Sequence, residues 1–382
     1  MPSSCRLTLM CRPATRWRPL LGAMILSVCS LSIAQVRPVL VAEGLSHPWA
    51  LAFVDQGRWL VSERAGRLRL VQPDGQVGPP LAGLPPIDAG GQGGLLDVVS
   101  DRDFERNRRL YLCYAEPAAS GEGNSTALAS ATLSADGQRL EQWRVLFRQL
   151  PKVVSRHHFG CRIVEDPQGV LYLTLGDRFH RMDDAQTLDN HHGKVVRLHK
   201  DGRVPDDNPL RQRAGALPEI WSWGHRNPQG ATWGPDNRLW LHEHGPQGGD
   251  EVNAIAPGRN YGWPVITYGE RYGGGPVGKG LTHQNGMEQP LWRWTPSIAP
   301  SGMAWLTSDR YGPEWRGSLF VGALRGRHLV RLTWQDGRLR ETEKLLVAQG
   351  QRIRDVRQGP DGWLYVLTDE RNGQLWRLVP SP

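Results

Sequence analysis

The chain is poor in cysteine, in helical periodicity, in long apolar runs and, at its start, in acidic residues. Three of its five cysteines, Cys5, Cys11 and Cys29, fall before residue 35. The remaining Cys113 and Cys161 are too few for the disulfide framework of a small secreted scaffold and read as buried free thiols. No stretch sustains a 3.6-residue apolar period, and 45 Gly with 29 Pro exclude coiled coils and helical bundles. The longest apolar run, Leu20 to Ala34, is broken by Ser27, Ser30 and Ser32 and falls short of the ~20 residues a membrane span needs. No Asp or Glu precedes residue 35, whereas Arg6, Arg12, Arg16 and Arg18 do. A basic start, a short apolar stretch and the small-residue site Ser32-Ile33-Ala34 predict a signal peptide over residues 1–34, cleaved before Gln35. The reading is a periplasmic or secreted protein without stable membrane insertion, with residues 35–382 as one domain. Those four arginines carry half of the net charge of +8; what remains is unremarkable and predicts no nucleic-acid partner.

What is present is a repeat. A Leu-aromatic-Leu/Val unit recurs as Leu110-Tyr111-Leu112, Leu171-Tyr172-Leu173, Leu239-Trp240-Leu241, Leu319-Phe320-Val321 and Leu364-Tyr365-Val366, with a looser copy at Trp59-Leu60-Val61. Intervals of roughly 60 residues match one four-stranded sheet plus loops, so the fold class is all-β, a six-bladed β-propeller of four-stranded antiparallel blades. Three copies follow a turn signal: Asp166-Pro167-Gln168-Gly169, Gly234-Pro235-Asp236-Asn237 and Gly359-Pro360-Asp361-Gly362.

In an antiparallel hairpin, residues entering the first strand and leaving the second lie at the same end. His157-His158 precede the first turn and Gly176-Asp177 follow it; Arg226-Asn227 precede the second and His244-Gly245-Pro246 follow it; Arg352 and Arg354 precede the third. Around one axis these groups converge on one rim, offering a base, a carboxylate and three arginines suited to an anionic ligand. Arg352 and Arg354 share a face and would equally suit salt bridges. His242-Glu243-His244 lacks the H-E-x-x-H spacing of a zinc helix. Gly90-Gly91-Gln92-Gly93-Gly94 lacks the Gly-Lys-Ser/Thr ending of a phosphate loop.

Taken in order, several segments resemble the soluble quinoprotein sugar dehydrogenases, six-bladed propellers that use pyrroloquinoline quinone (PQQ) and calcium. They are Gly90 to Leu96, His158 with Arg162, Leu175-Gly176-Asp177, Gly193 to Leu198, Gly224 to Gly230, Glu243 to Pro246, Gly249-Asp250-Glu251, Asn260 to Pro264, Thr295 to Gly302 and Arg352 to Asp355. The resemblance spans most of the chain beyond the leader. It implies oxidation of the anomeric hydroxyl of aldose sugars to lactones, with PQQ as hydride acceptor and an external electron acceptor such as a quinone, a cytochrome or a dye.

By position, the resemblance makes His158 the general base and Asp177 the group that holds its imidazole. It gives Gln92, Arg226, Asn227, Arg325, Arg352 and Arg354 to the cofactor, and the carbonyls of Gly245 and Pro246 to a calcium ion. Glu251 and the Tyr261 carbonyl would serve a further calcium. Where relatives commonly have Lys in an A-L-K segment this chain has Ala323-Leu324-Arg325, a planar fork in place of a point charge. Asp97, where a small residue is frequent, reads as turn chemistry. Two other classes stay open: a calcium-dependent propeller lactonase, which would want side-chain carboxylates on the axis, and a non-catalytic binding propeller.

Overall fold

The computed structural model describes residues 36–381, so the expected signal peptide and its expected cleavage site lie outside the described residues. Six sheets succeed one another along the chain. Blade I comprises Pro48–Phe53, Trp59–Glu63, Arg67–Val71 and Val77–Pro80. Blade II comprises Leu95–Ser100, Arg109–Pro117, Asn124–Leu133 and Leu140–Arg148, and blade III Gly160–Glu165, Val170–Leu175, Lys194–His199 and Ile220–Trp223. Blade IV is built from Pro228–Trp233, Leu239–Glu243, Asp250–Ile255 and Trp292–Trp294, and blade V from Pro300–Trp305, Leu319–Ala323, His328–Gln335 and Arg338–Leu345. Blade VI takes Ile353–Gln358, Leu364–Thr368 and Gly373–Pro380 from the end of the chain and Val36–Leu45 from its beginning, paired antiparallel so that the two ends close the ring. Blade III departs from the four-stranded expectation: Arg259–Asn260 adds a short fifth strand, parallel to Ile220–Trp223.

The repeated Leu-aromatic unit is the second strand of every blade. Its alternation buries one face against each neighbouring blade, and Tyr111, Leu171, Leu241, Phe320 and Val366 are all fully buried. The three turns form as read. In the first, Asp166 Oδ1 accepts the amides of Gln168 (2.9 Å) and Val170 (2.9 Å), while Gly169 supplies the positive φ of 78° that the turn needs.

The first strands of all six blades contact one another around the axis. Each carries a register shift near its start, at Pro48/Ala50, Leu95/Val98, Gly160/Ile163, Pro228/Gly230, Pro300/Met303 and Ile353/Asp355. A β-bulge inserts an unpaired residue and re-aims its side chain. Here the six bulges sit at one end of the axis and turn Trp49, Leu96, Gln229 and Arg354 into a common cavity.

Two expectations are corrected. Cys113 and Cys161 are not free thiols: they form a disulfide, with Cα atoms 5.7 Å apart, joining the second strand of blade II to the inner strand of blade III. Both are fully buried and face each other across the interblade seam, a juxtaposition that cysteine counting cannot see. Asp97 is not a turn residue but a fully buried strand residue. It accepts from Arg357 (2.7 Å), and Arg162 lies 3.4 Å from it and 3.1 Å from Asp355. Arg357 also bonds Asp355 (3.1 Å), so two arginines and two aspartates form a closed ionic group on the axis.

Candidate active site

His158 lies two residues before the inner strand of blade III, and Asp177 two residues after the second strand of the same hairpin. The hairpin rule brings them together: Nδ1 of His158 lies 2.6 Å from Asp177 Oδ1, both groups being buried. With Nδ1–H donating to the carboxylate, the lone pair stands on Nε2. The second carboxylate oxygen accepts Trp263 Nε1–H (2.7 Å), and Oδ1 also accepts the Phe179 amide (2.8 Å). Asp177 is therefore held from two sides while it holds the imidazole. Burial, helped by the positive charge of Arg226, pushes the His158 pKa down to about 4 against the opposing pull of Asp177. The ring is neutral at neutral pH and able to accept a proton.

The backbone of His158 is in the left-handed region (φ 51°), as are Gly160 (68°) and Cys161 (81°). Such backbone persists only where its surroundings enforce it. The His158 amide donates to Gln92 Oε1 (2.8 Å), the Gly160 amide donates to Asn227 Oδ1 (3.2 Å), and Cys161 is tied to blade II. Gln92 and Asn227 thus position the base's strand as well as line the adjoining cavity.

That cavity, of about 500 Å³, opens at the bulged end of the axis. Gln92, Asn227, Arg352 and Arg354 line it, with Trp49, Gln229 and His244. Arg352 and Arg354 both donate to Asp369 Oδ2, at 3.2 and 3.0 Å, so the shared face expected of them serves a salt bridge and a cavity wall together. Arg226 donates to the Gly245 carbonyl (2.8 Å) and stacks near Trp263. His158 and Arg226 are not themselves cavity-lining, but Gln92, Phe159 and Asn227 connect them to it. Gly245, Pro246 and Arg325 fall in a neighbouring cleft of about 760 Å³ that shares His244 and Ala299 with the first. The Gly245 turn is fixed by Asp250, whose carboxylate accepts the amides of Gly245, Ile298 and Ala299.

Glu251 and Tyr261 border a small void of about 10 Å³ with Glu243 and Gly249, the room of one water-sized sphere. Burial and the neighbouring Glu243 push the Glu251 carboxyl up to about 8. The Tyr261 hydroxyl is engaged elsewhere, donating to the Ala254 carbonyl (2.9 Å) and accepting the Ala256 amide (2.8 Å). The His242-Glu243-His244 run is divided among three tasks: His242 is buried between blades, Glu243 accepts from His225 and the Arg226 amide, and His244 Nε2 donates to the Pro300 carbonyl. Among the described residues no three His, Cys, Asp or Glu side chains gather as a metal site, and the axial carboxylates Asp97 and Asp355 are engaged by Arg162 and Arg357.

Sequence reasoning gave no role to Trp263 and Gln229, which stand inside the matching segments, and missed Asp369 altogether. Asp369 was within reach: it leaves the second strand of the third hairpin, where the rule that found Asp177 puts it at the same rim.

The fold and site together define a six-bladed propeller with a buried imidazole–carboxylate pair beside an arginine-lined axial cavity. The chain belongs to the glucose / sorbosone dehydrogenase family, whose model matches residues 45–377. It is 45% identical over 351 residues to an aldose sugar dehydrogenase of Escherichia coli (strain K12), covering 91% of this chain and 94% of the relative. The apo crystal structure of the soluble E. coli aldose sugar dehydrogenase superposes with a TM-score of 0.87 at 44% identity, over 91% of this chain and all (100%) of that one. The PQQ-bound aldose sugar dehydrogenase of Streptomyces coelicolor gives 0.72 at 27% identity, over 90% and 98%.

Proposed function

We propose that this protein is a PQQ-dependent sugar dehydrogenase that oxidises the anomeric hydroxyl of aldoses to lactones. The observation that carries the site assignment is the His158–Asp177 pair, neutral and oriented, beside a cavity walled by arginines. PQQ is a planar tricarboxylate, and the residues present fit such a group. Arg352 and Arg354 converge on the cavity, and the Nε atoms of Arg226 and Arg354 are buried donors with no partner among the described residues, an arrangement that favours an anionic acceptor. Gln92, Asn227 and, from the neighbouring cleft, Arg325 would complete the cradle.

When bound, PQQ supplies the two-electron acceptor that amino-acid side chains lack. The protein's part is to place the sugar and move the proton. His158 Nε2 accepts the proton of the anomeric hydroxyl as C1 is oxidised, and Asp177 stabilises the imidazolium that forms. Trp263 keeps that carboxylate from turning away. A calcium ion, a hard cation that takes oxygen ligands, would be held by the carbonyls of Gly245 and Pro246; the Gly245 carbonyl has a second lone pair beyond the one Arg226 uses. Glu251 and the Tyr261 carbonyl would hold a further calcium, whose charge would offset the repulsion between Glu251 and Glu243. The chain would be exported, with maturation at Gln35 leaving the single domain 35–382, and would pass its electrons to an external acceptor.

The test is reconstitution. The chain from Gln35 is purified from a host that makes no PQQ, PQQ and calcium are added, and dye reduction is followed with a panel of aldoses. Turnover that requires both additions is expected. A protein that binds no PQQ and oxidises no aldose would overturn the reading.

A further inference from the structure

Phe179 is placed unlike the other phenylalanines. Phe104, Phe147, Phe159 and Phe320 are buried and Phe53 is half-buried, whereas Phe179 is 46% exposed. Its ring centroid lies 5.3 Å from that of His158, at an interplanar angle of 76°, and 5.3 Å from that of His157. The chain also holds it there against its own preference: Arg178 and Phe179 are both left-handed, with φ of 61° and 71°.

Neither residue is glycine, so this conformation is costly and must be imposed. Arg178 imposes it. Its side chain is fully buried, donates to the Asn124 side chain and the Ser155 carbonyl, and lies 3.6 Å over the Phe159 ring. Its own carbonyl accepts the Ser155 hydroxyl (2.8 Å), and the Phe179 amide is bound by Asp177. A buried anchor thus presents an exposed aromatic ring beside the proposed base. Pyranose rings carry patches of C–H that pack on aromatic faces, as other apolar surfaces do.

We infer that Phe179 is the carbohydrate platform of this site, receiving the C–H face of the pyranose whose anomeric hydroxyl meets His158. The inference rests on the function proposed above and adds the residue that selects for a pyranose. Phe179 makes no hydrogen bond with its side chain, so it contributes to sugar affinity and ring-face preference, not to cofactor binding or proton transfer.

The experiment compares Phe179→Ala, Phe179→Trp and wild type as holoenzymes, measuring KM and kcat for D-glucose, the pH dependence of kcat/KM, and PQQ affinity by titration. Trp334→Ala removes an equally exposed aromatic (45%) on the outer part of blade V and serves as control. Phe179→Ala is expected to raise KM roughly 3- to 10-fold, the size of one lost aromatic contact, with kcat, PQQ affinity and the pH profile within twofold of wild type. Phe179→Trp restores KM, and Trp334→Ala leaves everything unchanged. If kcat falls or the pH profile moves while KM stays constant, Phe179 merely buttresses His158 and the proposal is overturned. An unchanged KM in an active Phe179→Ala enzyme also overturns it, leaving the dehydrogenase reading intact. A wild-type protein that oxidises no sugar would remove both.

Discussion

Lowering the pH from 7 to 5 tests the neutral imidazole directly. A histidine at its ordinary value of about 6.5 would be only about 3% unprotonated at pH 5, whereas one near 4 would be about 90% unprotonated. His158 has been pushed to about 4, chiefly by burial, so the two cases differ about 30-fold in available base. The assay is kcat/KM for an aldose from pH 4 to 8, which reports the free holoenzyme's base. It should stay flat down to about pH 5 and then fall. Because Asp177 raises the His158 pKa, Asp177→Asn should move the acid limb to still lower pH while costing about 10²–10⁴-fold in kcat, with Nδ1 no longer held by a charge. The stability sign runs with the same shift. The unfolded chain binds a proton near pH 6.5 that the folded chain refuses until about 4, so the folded state loses stability as the pH falls through that window. His158→Gln should lessen this loss. A wild-type profile that breaks near pH 6.5, or an Asp177→Asn limb that moves upward, would refute the assignment.

Other perturbations read other parts of the molecule. The Cys113–Cys161 bridge closes a loop of sequence separation 48, worth about 4 kcal/mol in the chain-entropy treatment; for a domain of ~350 residues that is about 5 °C in Tm. Calorimetry of Cys113→Ser/Cys161→Ser against wild type should show that drop, and equal midpoints would mean the bridge contributes nothing. Arg354→Gln removes a charge-assisted donor from the cavity wall and should weaken PQQ binding roughly 10- to 100-fold, read by tryptophan-fluorescence titration of the apoprotein. Unaltered affinity would take Arg354 out of the cradle. Chelating calcium from the PQQ-free chain should lower Tm in wild type but not in Glu251→Gln, and an identical response in both would remove Glu251 from the metal site.

The architecture was legible because blade packing repeats. Each second strand must present the same buried Leu-aromatic face, so Leu239-Trp240-Leu241 and Leu364-Tyr365-Val366 show in the sequence as copies of one unit. The rim was legible through hairpin geometry, which put His158 and Asp177 at one end, and through strand alternation, which put Arg352 and Arg354 on one face. The bulges were not. A bulge shifts the register by one residue without changing composition, so nothing in Ile353-Arg354-Asp355 says that Arg354 turns into the cavity while Asp355 turns toward Arg162. The disulfide was missed for a related reason: Cys113 and Cys161 lie on different blades, and interblade pairing has no local signature. Trp263 comes from a loop after blade IV's third strand, where no hairpin rule applies.

The axial ion group and the site are two consequences of the same six bulges. A closed ring of inner strands would leave a channel through the molecule, and the side chains bulged toward the axis fill it from one end. Arg162 is fully buried, donates to the carbonyls of Gln229 (2.7 Å) and Arg354 (3.5 Å), and lies 4.0 Å over the Trp49 ring. Arg354 approaches the same ring at 5.7 Å. Trp49 therefore carries one guanidinium of the buried plug and one of the cavity wall, and Gln229 supplies its carbonyl to the first and its side chain to the second (3.4 Å). Burying Arg162 is costly, and its pKa is lowered by that burial; Asp97 and Asp355 offset the cost. What the ion group adds is a floor: it holds Trp49, Gln229 and Arg354 from below, so that this wall of the cavity is ordered before any anion arrives. Binding then requires little reorganisation, and the positive charge at this end of the axis is held in place by Asp369, the carboxylate that Arg352 and Arg354 share.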